Sequence, residues 1–183
     1  MTIIALDQST TATGLSKFEN GELVNYYLIK PRKKKHINEV SYIYDKTKCT
    51  LFIDMPEWKY EITLLRTTFI TDVIEKELCK TNPDIVYFEE IFENRNPKGY
   101  KSLGRLQGFI AHLCHKLNIP YKIIEESKWI NTWGTYDRTI KRPERKKDIM
   151  KKVNDYYSLN ITVDDLSDSI ALGRYATEIE KEN

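Results

Sequence analysis

Four acidic residues at three distant points of the sequence could together hold divalent cations. Asp7 and Glu89 each end a short apolar run, while Asp165 and Asp168 stand three residues apart in a segment with a helical pattern. Residues with that spacing lie on one face of a helix. Carboxylates gathered beside a core repel one another and are costly to desolvate, and Mg²⁺, which prefers oxygen ligands, relieves both costs. Two such ions held about 3.5–4 Å apart commonly catalyse phosphodiester cleavage.

Neighbouring acids compete for some of these places. Glu90 follows Glu89, and the alternation of a strand directs the two side chains to opposite faces. Asp164 has the position of a helix N-terminal acid that interacts with the helix dipole. Glu125 and Glu126 are the nearest rivals as further ligands, and we interpret them as strand-end and surface residues.

The composition is that of a soluble globular protein with one domain over 1–183, since 40% of the residues are hydrophobic and 31% are charged. No apolar run approaches the roughly 20 residues of a membrane span, and the N-terminus lacks a signal-peptide pattern. The three cysteines are widely spaced and form no CxxC pair, which favours reduced thiols. These features predict a cytoplasmic protein with no membrane contact.

Basic residues are concentrated in two runs, 30–36 and 138–152, although the net charge is only +2. A basic run alone is as often solvated surface as a binding site. Two such runs beside an acidic cluster favour a phosphate-rich polymer as the partner. The basic residues predicted to contact nucleic acid are Arg32, Lys33, Lys34, Lys35, Arg145, Lys146 and Lys147.

The turns and apolar periodicities predict a mixed α/β fold. The dipeptide Asn20-Gly21 predicts a hairpin turn between two N-terminal strands. The predicted strands cover 2–7, 13–19, 22–29, 85–89 and 121–125. The predicted helices cover 57–80, 100–117, 127–133 with Ser127 as its cap, 143–157, and a last one from Thr162 or Asp164 to about 178. Segment 31–56 has no clear period and predicts a long, basic, partly mobile connection, and 93–99 predicts a polar loop.

Several of these segments resemble the motifs of the RuvC-type Holliday junction resolvases, a branch of the RNase H-like nuclease superfamily. Segment 4–14 is similar to the first strand of that family, with its acid followed seven positions later by glycine. Segment 86–92 is similar to the motif that carries the second acid, 103–108 to a small-residue helix, and 165–171 to the C-terminal acidic helix. Each motif alone is weak, whereas the ordered set spans essentially the whole chain.

The resemblance implies an RNase H-like fold with a five-stranded mixed sheet, in which three antiparallel N-terminal strands precede parallel strands, flanked by helices. It implies a crossover junction endodeoxyribonuclease that works as a homodimer and cuts two strands of a four-way DNA junction symmetrically. It further implies that two Mg²⁺ ions, for which Mn²⁺ would substitute, activate water and stabilise the leaving oxygen. The implied metal ligands are Asp7, Glu89, Asp165 and Asp168.

The resemblance also assigns residues to the DNA. Phe92 would be the aromatic wedge at the branch point, with core packing as its alternative. Lys146 or Lys147 matches the basic position near the scissile phosphate, and Lys147 is the one predicted to be catalytic. Four further aromatic residues could stack on bases, or else pack in the core or a dimer interface: Tyr100, Trp129, Trp133 and Tyr136.

The sequence departs from the family pattern at three places. Gln8-Ser9 replaces the usual Pro-Gly after the first acid, and Ser169 stands where alanine is common. The stretch 30–57 is longer than in the bacterial housekeeping form. These departures favour a divergent phage or prophage protein that acts in the cytoplasm of a bacterial host.

Three other functions compete with junction cleavage. A related RNase H-like nuclease acting on forks, flaps or RNA would carry the same acids. A junction-binding protein without activity would have no reason to keep costly carboxylates beside phosphate. Sugar kinase and actin-like ATPases share the first strand but need a later glycine-rich loop, and this chain has only 7 glycines with no such cluster.

Overall fold

The computed structural model describes residues 1–92, 97–134 and 139–182. Its strands are β1 Thr2–Asp7, β2 Thr13–Glu19, β3 Glu22–Lys34, β4 Ser41–Asp45, β5 Thr50–Pro56, β6 Ile85–Glu89 and β7 Tyr121–Ile124. Its helices are α1 Glu57–Glu61, α2 Thr63–Thr81, α3 Pro97–Lys116, α4 Glu126–Thr132, α5 Arg142–Tyr157 and α6 Asp164–Glu182. Within these residues, none of the helices has the length and apolar character needed to cross a membrane.

The strands form one mixed sheet in the order β4-β5-β3-β2-β1-β6-β7. Strands β1, β2 and β3 are antiparallel, β6 runs parallel to β1, and β7 runs parallel to β6. This arrangement confirms the predicted mixed α/β class. The predicted count of five strands is wrong, because the sheet formed by the described residues has seven.

The two additional strands lie in the segment that was predicted to be a mobile connection. Strand β3 continues to Lys34, and β5 pairs with it in parallel, while β4 pairs with β5 at the sheet edge. Two cations of the basic run are neutralised by acidic side chains, which lowers the cost of placing them on one strand. Arg32 pairs with Asp54 on β5, and Lys33 lies 3.0 Å from both Glu57 and Glu61.

Two smaller predictions need correction, and part of a third falls on residues that the structure does not describe. The predicted helix 57–80 is broken at Ile62, where Arg66 donates to the Tyr60 carbonyl at the end of α1 and so takes an acceptor of the helix. Ser127 does not cap α4, since Glu125 has the cap position and Ser127 lies within the helix. Residues 93–96 of the predicted polar loop lie outside the described residues, and α3 already begins at Pro97.

Two hydrophobic cores fill the two faces of the sheet. Ile4 and Leu6 of β1 point to the core under α2 and α3, whereas Ile3 and Ala5 point to the core under α4, α5 and α6. Asp7 continues the second set, because side chains along a strand alternate between faces. The last residue of β1 therefore faces α6, which carries two of the other predicted ligands.

The N-terminal turn of α6 lies directly against β2 at Gly14. A Cβ atom built on Gly14 would lie 1.9 Å from the Asp165 carbonyl oxygen, so only glycine allows this approach. Ser16 strengthens the contact by donating a 2.7 Å hydrogen bond to the Ser169 carbonyl. The Asp165 backbone can therefore lie this close to β2 only because the residue at position 14 is glycine.

We expect Gly14→Ala to lower the free energy of unfolding by about 3 kcal/mol, because the added methyl group displaces α6 from the sheet. Gly108→Ala is the matched control, since a Cβ atom at Gly108 in α3 meets no atom within 4 Å. The control should be neutral or stabilising by up to about 1 kcal/mol. Urea unfolding of both variants measures the difference. Equal stability of the two would show that the close approach at Gly14 does not matter.

Candidate active site

The structure brings the four predicted ligands into one pocket. Asp7 and Glu89 end the adjacent parallel strands β1 and β6. Glu89 shares the face of Ile85 and Tyr87, which belong to the core beneath α6, so it faces the same way as Asp7. Asp165 and Asp168 of α6 complete the set. The pocket has a volume of about 360 Å³ and is lined by Asp7, Gln8, Ser9, Glu89, Glu90, Ile91, Phe92, Leu103, Glu126, Arg142, Lys146, Asp165 and Asp168.

Burial and mutual repulsion destabilise the ionised form of these acids. Burial raises the pKa of Asp7 well above its ordinary value, and repulsion from Glu89 and Asp168 raises it further. Burial also raises the pKa of Glu89, with repulsion from Glu126 and Asp168 adding to it. The pKa values of Asp165 and Asp168 are raised chiefly by burial as well. The pocket therefore holds negative charge at a cost that a cation would remove.

Lys146 supplies positive charge inside the pocket. Its ammonium group lies 2.7 Å from Asp164 Oδ2 and 3.1 Å from Asp168 Oδ2. Burial alone would lower the pKa of Lys146, but attraction to Asp168, Asp164 and Asp7 raises it above the ordinary value. Lys146 reaches the pocket because it lies three residues before Ile149 and seven before Val153, the buried residues of α5.

The residues present fit a hard divalent cation. All four predicted ligands offer carboxylate oxygens, the donors that Mg²⁺ prefers. Asp168 Oδ1 is buried and has no hydrogen-bond partner among the residues that the structure describes, so it is an acceptor available for a cation. Across the described ranges, no three His, Cys, Asp or Glu side chains form a ready-made metal cluster.

Two glutamine side chains fix the backbone of Glu89. The buried Gln8 donates a 2.5 Å hydrogen bond to the Glu89 carbonyl and accepts a 3.2 Å hydrogen bond from the Glu89 amide. Gln107 of α3 donates a second hydrogen bond, of 3.0 Å, to the same carbonyl. The Gln8 amide thus continues the pairing of β1 with β6 beyond the last backbone pair, and it holds the Glu89 carboxylate beside Asp7.

Sequence reasoning missed two charged residues of the pocket. Glu126, interpreted as a surface residue, begins α4 and lines the pocket, where its charge acts on Glu89. Arg142 begins α5, lines the same pocket, and lies 3.7 Å from Glu126. The position of Glu126, two residues after Ile124, could have indicated its role. Ile124 ends β7 and pairs with Glu89 in the sheet, so the residues just after β7 lie near Glu89.

Among the residues predicted to contact DNA, Phe92 lines the pocket, whereas Lys147, Arg32 and Lys33 do not. Phe92 lines the pocket with 55% of its side-chain surface exposed. Lys147, the predicted catalytic lysine, is exposed and lies outside the pocket, beside Met150 and Thr162. Arg32 and Lys33 are engaged in ion pairs.

The other predicted contacts are spread over the surface or buried. Lys35 is exposed, whereas Lys34 and Arg145 are partly buried. Trp129 and Trp133 pack in the core beneath α6, and Trp133 Nε1 donates to the Ala171 carbonyl at 3.3 Å, so packing is their role in the structure. Tyr100 is partly buried on α3. Tyr136 lies outside the described residues.

Comparison with known proteins supports the resemblance through structure alone. The sequence matches no protein-family model, and no curated protein matches it. The structure is similar to that of Thermus thermophilus RuvC in complex with a Holliday junction substrate, with a TM-score of 0.66 and 14% identity, over 99% of this chain and 96% of that one. The yeast mitochondrial Holliday junction resolvase Ydc2 matches with a TM-score of 0.53 and 11% identity, over 98% of this chain and 79% of that one.

A third similar structure is the Fowlpox virus resolvase with Holliday junction DNA, with a TM-score of 0.50 and 15% identity, over 98% of this chain and 99% of that one. At these identities the comparisons establish the fold. The chain therefore has the RNase H-like fold of the RuvC-type resolvases, as its motifs predicted.

We expect the stability of the chelator-treated protein to fall as the pH rises from about 5 to 8. The folded state binds protons more tightly than the unfolded state because the pKa values of Asp7, Glu89 and Asp168 are raised. This stability is present at low pH and is lost as the pH rises through the folded-state pKa values. Asp7→Asn should flatten the profile and raise the unfolding free energy at pH 8 by on the order of 1 kcal/mol. Thermal unfolding across this pH range checks both effects. A wild-type profile that rises with pH would contradict the assignment.

Proposed function

We propose that the protein is a magnesium-dependent, structure-selective DNA endonuclease that resolves four-way junctions by paired nicks. The observation that carries the proposal is the convergence of four carboxylates from three separate segments on one pocket. The fold supports it, because the same fold occurs in proteins solved with Holliday junction DNA. A basic helix that borders the pocket gives a polyanionic substrate a place to bind.

Asp7, Glu89, Asp165 and Asp168 would hold Mg²⁺, with Mn²⁺ as a substitute. When bound, the metal would activate water and stabilise the charge that gathers on the phosphate and the leaving oxygen. The raised pKa values of these acids favour metal binding near neutral or higher pH, since the carboxylates must be ionised to act as ligands.

Lys146 would contact the scissile phosphate. Its ammonium group already lies among the carboxylates, bonded to Asp164 and Asp168. A phosphate entering the pocket offers the ammonium group a competing anionic partner, and the interaction strengthens as negative charge develops on the phosphate. Arg142, one helical turn earlier on α5, would bind a neighbouring phosphate at the rim.

Phe92 and a dimer would provide the selectivity for branched DNA. The exposed Phe92 ring lies at the pocket, where it would stack at the branch point. A second copy of the chain would supply the site for the opposite strand. Exposed apolar side chains near the α1–α2 break and on α3 support this: Trp58, Ile62, Leu64 and Phe109.

We expect the wild-type protein to cut a synthetic four-way junction only when Mg²⁺ is present. Asp7→Asn should bind the junction at least as tightly, because it removes a negative charge beside phosphate, and should lose at least 10³-fold in cleavage rate. Gel analysis of end-labelled strands measures cleavage, and a gel shift in Ca²⁺ measures binding. Linear duplex, flap, fork and RNA–DNA hybrid substrates of equal length are the controls.

Each outcome of that experiment separates a competing function. An active Asp7→Asn would refute the ligand role of Asp7. Equal cutting of linear duplex would refute junction selectivity, and preferred cutting of flaps or hybrids would identify the related nuclease instead. Binding without any cutting by the wild type would identify a junction-binding protein.

Lys146→Met and Lys147→Met together test which lysine acts at the phosphate. Both variants remove one positive charge from α5, so both should weaken junction binding to a similar small extent. Only Lys146→Met should slow the single-turnover cleavage rate of the bound junction, by about 10²-fold, because only Lys146 lies in the pocket. Lys146→Arg should recover part of the rate. A larger loss in Lys147→Met would instead support the lysine predicted from the sequence.

A further inference from the structure

One face of the sheet extension is left uncovered by the helices. Helix α6 packs against β1, β2 and part of β3. The odd-numbered residues of β3 and β5, such as Ile29 and Ile53, point to the other core under α2. The even-numbered residues point to the α6 side, and beyond the reach of α6 they form an open surface.

The register of the sheet arranges this surface in a row. Lys30 of β3 pairs with Phe52 of β5, which in turn pairs with Ile43 of β4. Residues paired in register share a face, so the three side chains stand side by side. Lys30 is exposed, Phe52 is half-buried, and Ile43 is 47% exposed. We call this row, with Arg32 and Lys48 beside Phe52, the open sheet face.

A groove of about 590 Å³ runs between the open sheet face and the segment that leads into α6. It lies between the open sheet face and residues 160–163, and its far wall includes Leu166, the neighbour of Asp165. Leu166 of the groove and Asp165 of the pocket both lie in the first turn of α6, so the groove and the pocket border the same helix end.

The chemistry of the groove suits a nucleic acid strand. The Arg32 guanidinium group lies 4.1 Å from the centre of the Phe52 ring and pairs with Asp54, which fixes the ring in place. Lys48 lies 6.0 Å from the same ring centre, and its partner Asp45 is 3.3 Å away. An exposed ion pair of this kind contributes little to stability, so Lys48 can leave Asp45 and bind a phosphate at low cost. In a nucleic acid strand, charged phosphates alternate with less polar bases and sugars. The lysines of the open sheet face suit the phosphates, and the neighbouring aromatic and aliphatic side chains suit the bases and sugars.

The ion pairs decide which cations of the basic run are available. Lys33 is held by Glu57 and Glu61 on the opposite side of the strand, and Arg32 is held by Asp54. In the described part of the chain, Lys30 lies within ion-pair distance of no acidic side chain. Lys30, which was not among the predicted DNA contacts, is therefore better suited to phosphate than Arg32 or Lys33.

We propose that the open sheet face binds an arm of the DNA whose scissile strand lies in the candidate active site. The proposal rests on the proposed function and extends it, because it places the arm on β3, β4 and β5. Lys30 and Lys48 would contact phosphates, while Phe52 and Ile43 would contact sugars or bases. The two strands that were absent from the predicted five-stranded sheet would then enlarge the DNA-binding surface.

The test uses full-length Asp7→Asn protein, which is expected to bind without cutting, and a labelled four-way junction. The double variant Lys30→Gln/Lys48→Gln should raise the Kd for the junction at least tenfold at 0.1 M salt. The slope of log K against log salt should fall by about one for each lysine removed. Ile43→Ser should raise the Kd about threefold and leave that slope unchanged, because it removes only an apolar contact.

A charge-matched control is Lys80→Gln/Lys181→Gln. Both control lysines are exposed and lie in the last turns of α2 and α6, away from the groove. The control should leave the Kd within a factor of two of the parent. If the groove variant behaves like the control while the parent binds the junction, the open sheet face does not bind DNA and only this inference is overturned. If the parent does not bind junctions at all, the proposed function itself is wrong.

Discussion

The structure depends on holding several like charges together at the edge of a hydrophobic core. Asp7 and Asp168 are buried beside each other, and their repulsion would separate β1 from α6 if nothing opposed it. Three contacts oppose it: the absence of a side chain at Gly14, the hydrogen bond from Ser16 to α6, and the Lys146 ammonium group. Strand β2 supplies the first two and α5 supplies the third, so the site exists only when the sheet, α5 and α6 are assembled. A pocket built in this way is held ready for cations and phosphate at the expense of stability.

The main carboxylates could be predicted because strand and helix periodicities determine them. Alternation along β1 and β6 places Asp7 and Glu89 on one face, and the spacing of three places Asp165 with Asp168. Lys146 was harder to distinguish from Lys147, since the choice depends on the rotational phase of α5. That phase was present in the sequence through Ile149 and Val153, the only apolar positions of α5 that are buried in the described structure. Glu126 was missed because its importance arises from the pairing of β7 with β6, a tertiary contact.

The basic segment shows why charge patterns alone mislead. Five cations near one another in sequence suggest an unstructured arm, because they repel one another when isolated. In the fold, alternation along β3 sends neighbouring cations to opposite faces, where Arg32 meets Asp54 and Lys33 meets Glu57. The acids that make this strand possible lie more than twenty residues later, so no local window of the sequence contains the information. The same alternation leaves Lys30 exposed on the side of the sheet that faces α6.

The departure of this chain from the family motif after Asp7 has a structural counterpart. Where the motif of the RuvC-type resolvases has Pro-Gly, Gln8 of this chain forms two hydrogen bonds with the Glu89 backbone, and Gln107 adds a third. Proline could make neither bond, because it has no side-chain donor or acceptor. The Gln8 side chain therefore extends the pairing of β1 with β6, and its amide group helps to set the separation of Asp7 from Glu89. Without the Gln8 side chain, the Glu89 carbonyl would keep the hydrogen bond from Gln107, but the Glu89 amide would lose its bond to the residue that follows β1.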